Sequence, residues 1–315
     1  NAYFLLYSEG LTSERIRQII HAVKNSPLAD YYPLVPIESL PSHFDTDLSW
    51  VQVVVEAIKK EKKLPVSKLL KDAPVVIKLP SHYYTVDAFS PNTDNNMIFL
   101  TQQLHNYKTR LIIDISLEPT VLNKQERESL ENMVYQLQEI TAFNVERKEL
   151  IDEQVKKIQD LNAQKSLESF QNYYENYLGE ELFSYSLRIL GHDPFYTRLM
   201  LTHFMIETQN NGAFRLLEYS HDSLVFDDIQ AAYWKGLPCK KVYWKEYWNE
   251  VSSDLLRSLA RLHRLTTQEE FSGFFRFIIP QHELLPGICK EIEYQETRAF
   301  QQQRGVSLGN EAEKP

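Results

Sequence analysis

The chain has 315 residues, of which 43% are hydrophobic and 24% charged, and its formal net charge is −9. This length predicts a sizeable core and two domains, and the composition is that of a globular protein. The acidic balance excludes a chain that is basic throughout, as many nucleic-acid binders are, although it permits local basic patches.

Cysteine usage and hydropathy indicate the compartment. The two cysteines, Cys239 and Cys289, are too few for a disulfide framework or a cysteine-based zinc site. No apolar run reaches the roughly 18 residues that a membrane span needs, and the start of the chain lacks the basic flank of a signal peptide. We therefore expect a cytoplasmic protein without a membrane span.

The first 120 residues contain predicted strands and helices. The apolar run Ala2–Tyr7 predicts a strand, and Thr12 or Ser13 can begin a helix with apolar residues at helical spacing. The same spacing predicts a second helix over Leu48–Lys60, whose end carries the basic cluster Lys59–Lys63 on a solvated face. The other predicted elements are an irregular proline-rich connection at Pro27–Phe44, strands at Pro74–Leu79 and Tyr83–Val86, and a short helix at Met97–Asn106.

The middle of the chain is predicted to connect two units. The continuous apolar run in Thr109–Ser116 predicts a buried strand, and Glu118–Thr120 predicts a turn after it. Asn123 is expected to cap a long helix. From Glu146 to Lys165, charges alternate with apolar residues, which predicts a solvated helical connector.

The second half is predicted to contain a strand–helix–strand unit. Alternating apolar residues predict a half-buried strand at Leu182–Leu190. Asp193 and Pro194 predict the start of a helix that runs to Gln209, because Asp favours the N-cap and Pro the first helical position. The remaining predictions are a helix at Glu168–Leu178 that stops at Gly179, a turn at 210–212, a strand at Ala213–Tyr219, and helices near Leu224–Tyr233 and Val251–His263.

This order of elements predicts an α+β or mixed α/β fold, with two small α/β units joined by a long helix. The expected boundaries are an N-terminal unit over residues 1–120, a helical connector over 121–165, a second unit over 166–265 and a final segment over 266–315.

No nucleotide-binding loop is recognisable in the chain. None of the nine glycines is followed by a correctly placed lysine and hydroxyl residue, and a P-loop needs both besides its phosphate-cradling N–H groups. The chain by itself is therefore expected to bind no ATP, to need no cofactor and to be no enzyme.

Metal chemistry has one candidate site. The nine histidines form no pair at zinc-ligand spacing. Asp114 lies inside an apolar strand and Glu118 follows at its end, as metal ligands do in some nucleases. We interpret Asp114 as a structural acid at a sheet edge, paired with Arg110 or Lys108. The alternative is a stand-alone, metal-dependent, nuclease-like enzyme with Asp114 and Glu118 as ligands.

An aromatic and basic stretch between residues 233 and 248 is the main candidate interaction surface. Aromatic rings interleaved with lysines can stack on bases and neutralise phosphates, but they also form protein-docking surfaces in which lysine stems lie over rings. The acidic chain favours a protein partner. The residues that we assign to this surface are Tyr233, Trp234, Lys240, Lys241, Tyr243, Trp244, Lys245 and Trp248.

The last fifty residues resemble a segment of known proteins. Thr266–Phe277 reads TTQEEFSGFFRF, Leu285–Ile288 reads LPGI, and Arg304–Asn310 reads RGVSLGN. This order is similar to the segment that leads into the motor domain of HerA/FtsK-superfamily ATPases, notably HerA-like and conjugative DNA-transfer ATPases. In them a short helix with paired acidic residues precedes a Pro-Gly-Ile segment and a strand that enters the P-loop domain.

The resemblance implies an accessory region whose motor would follow Pro315. Such a region would make contacts in a hexameric ring and dock a protein partner, while the motor would bind ATP and magnesium and contact DNA. The process would be DNA transfer, DNA processing or phage defence, and the complete protein would be an ATPase and translocase. In the transfer ATPases, a final strand–helix–strand unit packs on the motor. Residues 1–120 show no specific match to the family.

Overall fold

A computed structural model describes residues 12–25, 48–67, 79–92, 110–142, 145–148, 155–158, 160–179, 181–234, 238 and 258–274. In these ranges the chain has a mixed α+β fold, as the sequence predicts. The strands are β1 Val53–Lys59, β2 Glu61–Pro65, β3 His82–Val86, β4 Leu111–Thr120, β5 Val145–Lys148, β6 Val155–Ile158, β7 Leu182–Gly191, β8 Phe214–Ser220 and β9 Leu265–Thr267. The helices are α1 Ser13–Lys24, α2 Lys124–Ala142, α3 Leu161–Gly179, α4 Pro194–Thr208, α5 Leu224–Trp234 and α6 Gln268–Ser272, with a 3-10 helix at Leu262–Arg264.

The largest sheet has the strand order β4-β7-β1-β8, and β9 pairs with the start of β7. All of its pairings are antiparallel. Because β7 and β8 both run opposite to β1, they are parallel to each other, and α4 connects them across the strand between them. This is a split β-α-β arrangement. Two small hairpins, β2–β3 and β5–β6, lie outside this sheet.

One face of the sheet is apolar. Directly opposed residues of paired strands point to the same face, so Val55 of β1 and its partner Ile189 of β7 lie side by side. Helix α4 covers this face with Met200, Leu201 and Phe204. The opposite face packs part of its area against Phe226 and Ile229 of α5. Its remaining area carries charged side chains.

A further core lies between two helices and the first hairpin. Helix α2 contributes Leu130 and Leu137, and α3 contributes Phe170 and Tyr173. The hairpin closes this core with Tyr83. Both helices belong to the segment that connects β4 to β7. They form this core together with the hairpin, separately from the apolar face of the sheet.

Local capping chemistry sets several helix ends as predicted. Asn123 accepts the main-chain N–H of Glu126 at 2.8 Å, and the Glu126 carboxylate accepts the N–H of Asn123 at 2.8 Å. Asp193 caps α4, and Pro194 follows in its first turn. Gly212, with φ +56°, makes the predicted turn before β8, in the left-handed region that glycine adopts without strain.

The predicted helix over Leu48–Lys60 is wrong, since residues 53–59 form the buried strand β1. The run Val53, Val54 and Val55 is β-branched and fits a strand with neighbours on both sides. Lys59 is therefore not on a solvated helix end; its side chain is fully buried.

The predicted turn at Glu118–Thr120 and the solvated helix over Glu146–Lys165 are also wrong. Strand β4 continues to Thr120, and residues 145–158 contain the paired strands β5 and β6. A new helix starts after Asp160, whose carboxylate accepts the N–H of Asn162 at 3.0 Å. This cap marks the start of a helix that is separate from the hairpin. Hydrophobic spacing alone does not reveal such a start.

Burial differs from the prediction in the two best-recognised strands. The predicted buried strand, β4, is half-buried because it lies at the edge of the sheet. The predicted half-buried strand, β7, is almost fully buried because it has neighbours on both sides. Whether a strand lies at the edge or in the centre of the sheet depends on its pairing with distant strands. The sequence of the strand itself therefore does not predict its position.

The predicted domain boundaries at residues 120, 165 and 265 stay a prediction, but one sheet draws strands from both predicted units: β1 and β4 from the first, β7 and β8 from the second. Several predicted elements lie outside the described residues. They are Ala2–Tyr7, Pro27–Phe44, most of Pro74–Leu79, Met97–Asn106 and the first part of Val251–His263.

Candidate docking site

Residues 258–274, called the strap here, run across both cores. The strap contains the 3-10 helix, β9 and α6. Leu259, Leu262 and Leu265 pack into the core between α2 and α3. Phe271 and Phe274 pack into the apolar core of the sheet. The described part of the segment that carries the family resemblance is therefore integrated into the fold.

Arg264 of the strap forms a buried ion pair with Glu56 of β1. Its two terminal nitrogens donate to the two carboxylate oxygens at 2.8 and 2.7 Å, and Tyr219 donates to the same carboxylate at 3.2 Å. Burial is the largest single influence and would raise the pKa of Glu56, but Arg264, together with Arg188 and Tyr219, outweighs it and holds that pKa below its usual value. Glu56 thus stays ionised, and the bidentate geometry fixes the strap on the sheet.

Lys59 of β1 forms the second buried contact with the strap. Its Nζ donates to both carboxylate oxygens of Glu270 at 2.9 and 2.7 Å and to Tyr177 Oη at 2.6 Å. The rings of Phe89, Tyr173 and Tyr177 surround the ammonium, with centroids between 5.1 and 5.6 Å from Nζ. Burial lowers the pKa of Lys59, and the charge of Glu270 opposes that shift.

Both glutamates of the described capping boxes also bind a cation. Glu270 accepts the N–H of Thr267 at 3.1 Å as the capping-box residue of α6. Glu126, its counterpart in α2, accepts hydrogen bonds from Nε and one terminal nitrogen of Arg261, at 2.8 Å each. One carboxylate therefore completes a helix end and at the same time attaches the strap, so the two structures depend on each other.

These pairs neutralise charges of the strap, and the side chains of Arg264 and Glu270 are largely enclosed. A buried, hydrogen-bonded ion pair fixes the geometry of the segment that carries it. The arrangement consequently suits the holding of a chain segment in place.

Helix α4, whose C-terminal part contacts the end of the strap, exposes apolar side chains along its outer side. Phe195 is 68% exposed and Ile206 is 58% exposed, and half-buried Leu199 lies between them at helical spacing. At the inner side of the helix, the Phe204 ring stacks on Phe274 of the strap with centroids 6.0 Å apart. Large exposed apolar side chains on one helix face are typical of docking surfaces.

The strap approaches the C-terminal end of α4 closely. A side chain at Gly273 would place its Cβ 2.7 Å from the carbonyl oxygen of Thr208 and 2.9 Å from Pro91. Only glycine fits this approach without movement of the backbone. The end of the described strap is thus fixed against α4.

Asp114 is an ion-pair partner, as predicted, and the partner that the structure gives it is Arg188; the predicted alternative Lys108 lies outside the described residues. One oxygen of Asp114 accepts from Arg188 Nε at 3.0 Å, and the other accepts from Ser116 Oγ at 2.9 Å. Arg110 instead lies over the Trp50 ring, 4.7 Å from its centroid.

The alternative metal site finds no support in this geometry. Asp114 and Glu118 lie four residues apart on one strand, about 13 Å along its axis, and both oxygens of Asp114 already accept hydrogen bonds. Within the described ranges, no three His, Cys, Asp or Glu side chains are grouped as metal ligands.

The predicted aromatic–lysine surface is described only at its start. Tyr233 is buried in the core beneath α5, so its side chain adds little to an exposed surface. Trp234 ends α5. The other six residues, Lys240, Lys241, Tyr243, Trp244, Lys245 and Trp248, lie outside the described residues.

Sequence reasoning missed the residues that hold the strap. Both Glu56 and Lys59 fall within the predicted helix Leu48–Lys60, and only Lys59 is given a position there, on its solvated end. A usable signal existed, because charged residues inside a β-branched apolar run often mark buried ion pairs.

Among the helices of the described ranges, none is long and apolar enough to cross a membrane. Comparison with protein-family models, curated proteins and solved structures found no match to this chain.

Proposed function

We propose that this chain is the accessory region of a HerA/FtsK-like, DNA-translocating ATPase and that it docks the motor or a partner through α4. The motor would follow residue 315, bind ATP with magnesium and form a ring of subunits. The accessory region would itself carry no catalytic residue and would act in the cytoplasm, in DNA transfer, DNA processing or phage defence.

The observation that carries the proposal is the exposed apolar side of α4, the helix whose C-terminal end contacts the fixed end of the strap. Phe195 and Ile206 project outward on α4, while Phe274 packs on its inner side. A domain that follows the strap would start beside this surface. The surface would then be covered by the domain that the same chain leads into.

Ion pairs would give this docking its mechanical basis. A pull on the residues after Phe274 would act on Glu270 and Arg264, which are bound to Lys59 and Glu56 of the central strand. A force from the motor, or a displacement of it, would thus be transmitted through these ion pairs to the middle of the sheet. The aromatic stretch with Trp244 stays a predicted second contact surface for a protein partner.

The test uses the natural reading frame expressed beyond the codon for Pro315. Its product should hydrolyse ATP in the presence of DNA, whereas the 315-residue chain should not, because it has no phosphate-binding loop. Amide hydrogen exchange of the longer product should show slower exchange of α4 than the 315-residue chain does.

A variant pair makes the test specific. The double substitution Phe195→Ser, Ile206→Ser should weaken association of the two parts by roughly 30-fold or more, as a loss of at least ~2 kcal/mol at a hot spot requires. Arg198→Ser, which is also exposed on α4, is the matched control and should leave association unchanged. A reading frame without ATPase activity, or equal exchange of α4 in both proteins, would contradict the proposal.

A further inference from the structure

We propose that the free edge of β4 pairs with β4 of a second copy of this chain, in antiparallel orientation, to form a two-fold dimer. Within the described part of the chain, β4 is hydrogen-bonded to β7 on one side only. An edge strand offers a row of main-chain donors and acceptors that another strand can pair with.

The proline of β4 indicates which residues point their main chain outward. Proline is tolerated in an edge strand where its missing N–H would face away from the neighbouring strand, and Pro119 is the exposed residue of β4. Main-chain groups of successive residues alternate between the two sides of a strand. Ile113, Ile115 and Leu117, which share the parity of Pro119, therefore direct their N–H and C=O groups to the free edge.

The side chains of β4 also lack full cover at this edge. Leu111, Ile113, Ile115 and Leu117 lie on the apolar face and pack against its core, yet each is only half-buried. A second strand with apolar residues at alternate positions would continue this core across the edge. The β4 sequence itself has that alternation.

The carboxylates of β4 favour one register for pairing with a second copy of the strand. With Ile115 opposite Ile115 of the copy, Ile113 faces Leu117, and Asp114 faces Ser116. No carboxylate then lies opposite another carboxylate. A shift of the two-fold axis by one residue in either direction places Asp114 opposite Asp114 or opposite Glu118, which is destabilising.

Asp114 is also compatible with this pairing because its charge is already neutralised by Arg188. An unpaired carboxylate in the middle of a strand would oppose edge-to-edge association. The same residue that resembled a metal ligand thus leaves the edge open to a partner.

The dimer is independent of the proposed motor. A two-fold contact joins the same patch on two copies, whereas a ring is built from head-to-tail contacts between different patches. The 315-residue chain should therefore dimerise without ATP, without DNA and without any further domain.

The experiment combines sedimentation with disulfide cross-linking. On a background of Cys239→Ser and Cys289→Ser, Ile115→Cys should cross-link readily under mild oxidation, because directly opposed Cα atoms lie about 5.5 Å apart, within disulfide range. Ile113→Cys is the matched control on the same half-buried face. In the proposed register its two copies are about 13 Å apart, so it should not cross-link.

Sedimentation of the unmodified chain should show a concentration-dependent dimer, and Ile115→Lys should convert it to a monomer with an unchanged circular dichroism spectrum. If Ile115→Lys fails to fold, the cross-linking pair decides. A monomer at every concentration overturns the proposal, and so does equal cross-linking at positions 113 and 115.

Discussion

The two faces of the central sheet are held by different forces. One face packs Val55, Leu187 and Ile189 under α4 without a charge between them, and the buried pair of Lys59 with Glu270 lies beyond them at the end of β1. The other carries a line of charged residues across three strands, in which Asp114 is opposite Arg188 and Arg188 is opposite Glu56. Apolar contacts are non-directional and tolerate changes of similar volume. Buried charges require a particular partner, and the loss of one leaves the other exposed to a low-dielectric interior.

The largest expected effect comes from the centre of the charged line. Arg188→Met would leave Asp114 without its cation, while Glu56 would keep Arg264, and we expect a loss of about 3 to 5 kcal/mol in the free energy of unfolding. Urea denaturation followed by circular dichroism measures it. The control is the same substitution in the exposed pair of Arg198 and Glu218, which are 3.7 Å apart; Arg198→Met should cost less than about 1 kcal/mol. Similar losses in both variants would remove the distinction between the buried and the exposed pair.

The second effect depends on pH and concerns Glu61 at the start of β2, just after the end of the sheet strand β1. Burial raises its pKa from the usual 4.5 to about 7, although Arg215 and Arg264 act in the opposite direction. The folded state thus holds the Glu61 proton more tightly than the unfolded state. This contribution to stability is fully present below pH 4.5 and is lost as the pH rises to about 7.

The measurement compares wild type with Glu61→Gln, which keeps a neutral side chain at every pH. As the pH rises through this window, the wild type should lose ~3 kcal/mol in the free energy of unfolding relative to Glu61→Gln. The buried imidazole of His263, whose pKa is lowered by burial, lies 4.0 Å from Glu61 and is present in both proteins. Glu218→Gln, on the exposed part of β8, is the control. A flat difference for Glu61→Gln would show that its carboxylate is ionised in the fold throughout.

The smallest effect is expected on the apolar face. Ile189→Val removes one methyl group from a fully buried position and should cost about 1 kcal/mol. The same denaturation experiment measures it, so the value can be set directly beside that of Arg188→Met. A cost as large as that of the charge deletion would mean that tight packing, rather than charge pairing, dominates the specificity of this sheet.

Local chemistry in the sequence predicts much of the fold. The capping residues Asn123 and Asp193 and the turn at Gly212 act within a few positions, so the helices and strands beside them were predicted with the correct type. Strand order was not predictable in this way. It depends on which distant strands meet β1 and β7, and no short-range pattern records that choice.

The candidate site was predicted less completely for the same reason. The short helix after Thr267 was expected from the resemblance, but its attachment by Glu270 to Lys59 joins residues 211 positions apart. Reading Lys59 as solvated followed from assigning helical spacing to a valine-rich run. With β1 read as a strand, the buried charges would have required partners, but their identity would still have come only from the structure.

The position of β1 has a consequence for how the chain is made. Val53 pairs with Gly191 on one side and with Ser220 on the other, so the central strand has no neighbour in its sheet until most of the chain has left the ribosome. Closing such long loops before any contact forms slows folding. During that interval the valines of β1 would be exposed on a nascent chain, where holding by a chaperone would protect them from aggregation. Truncations that end before Leu182 should therefore accumulate as insoluble protein, however stable the complete fold is.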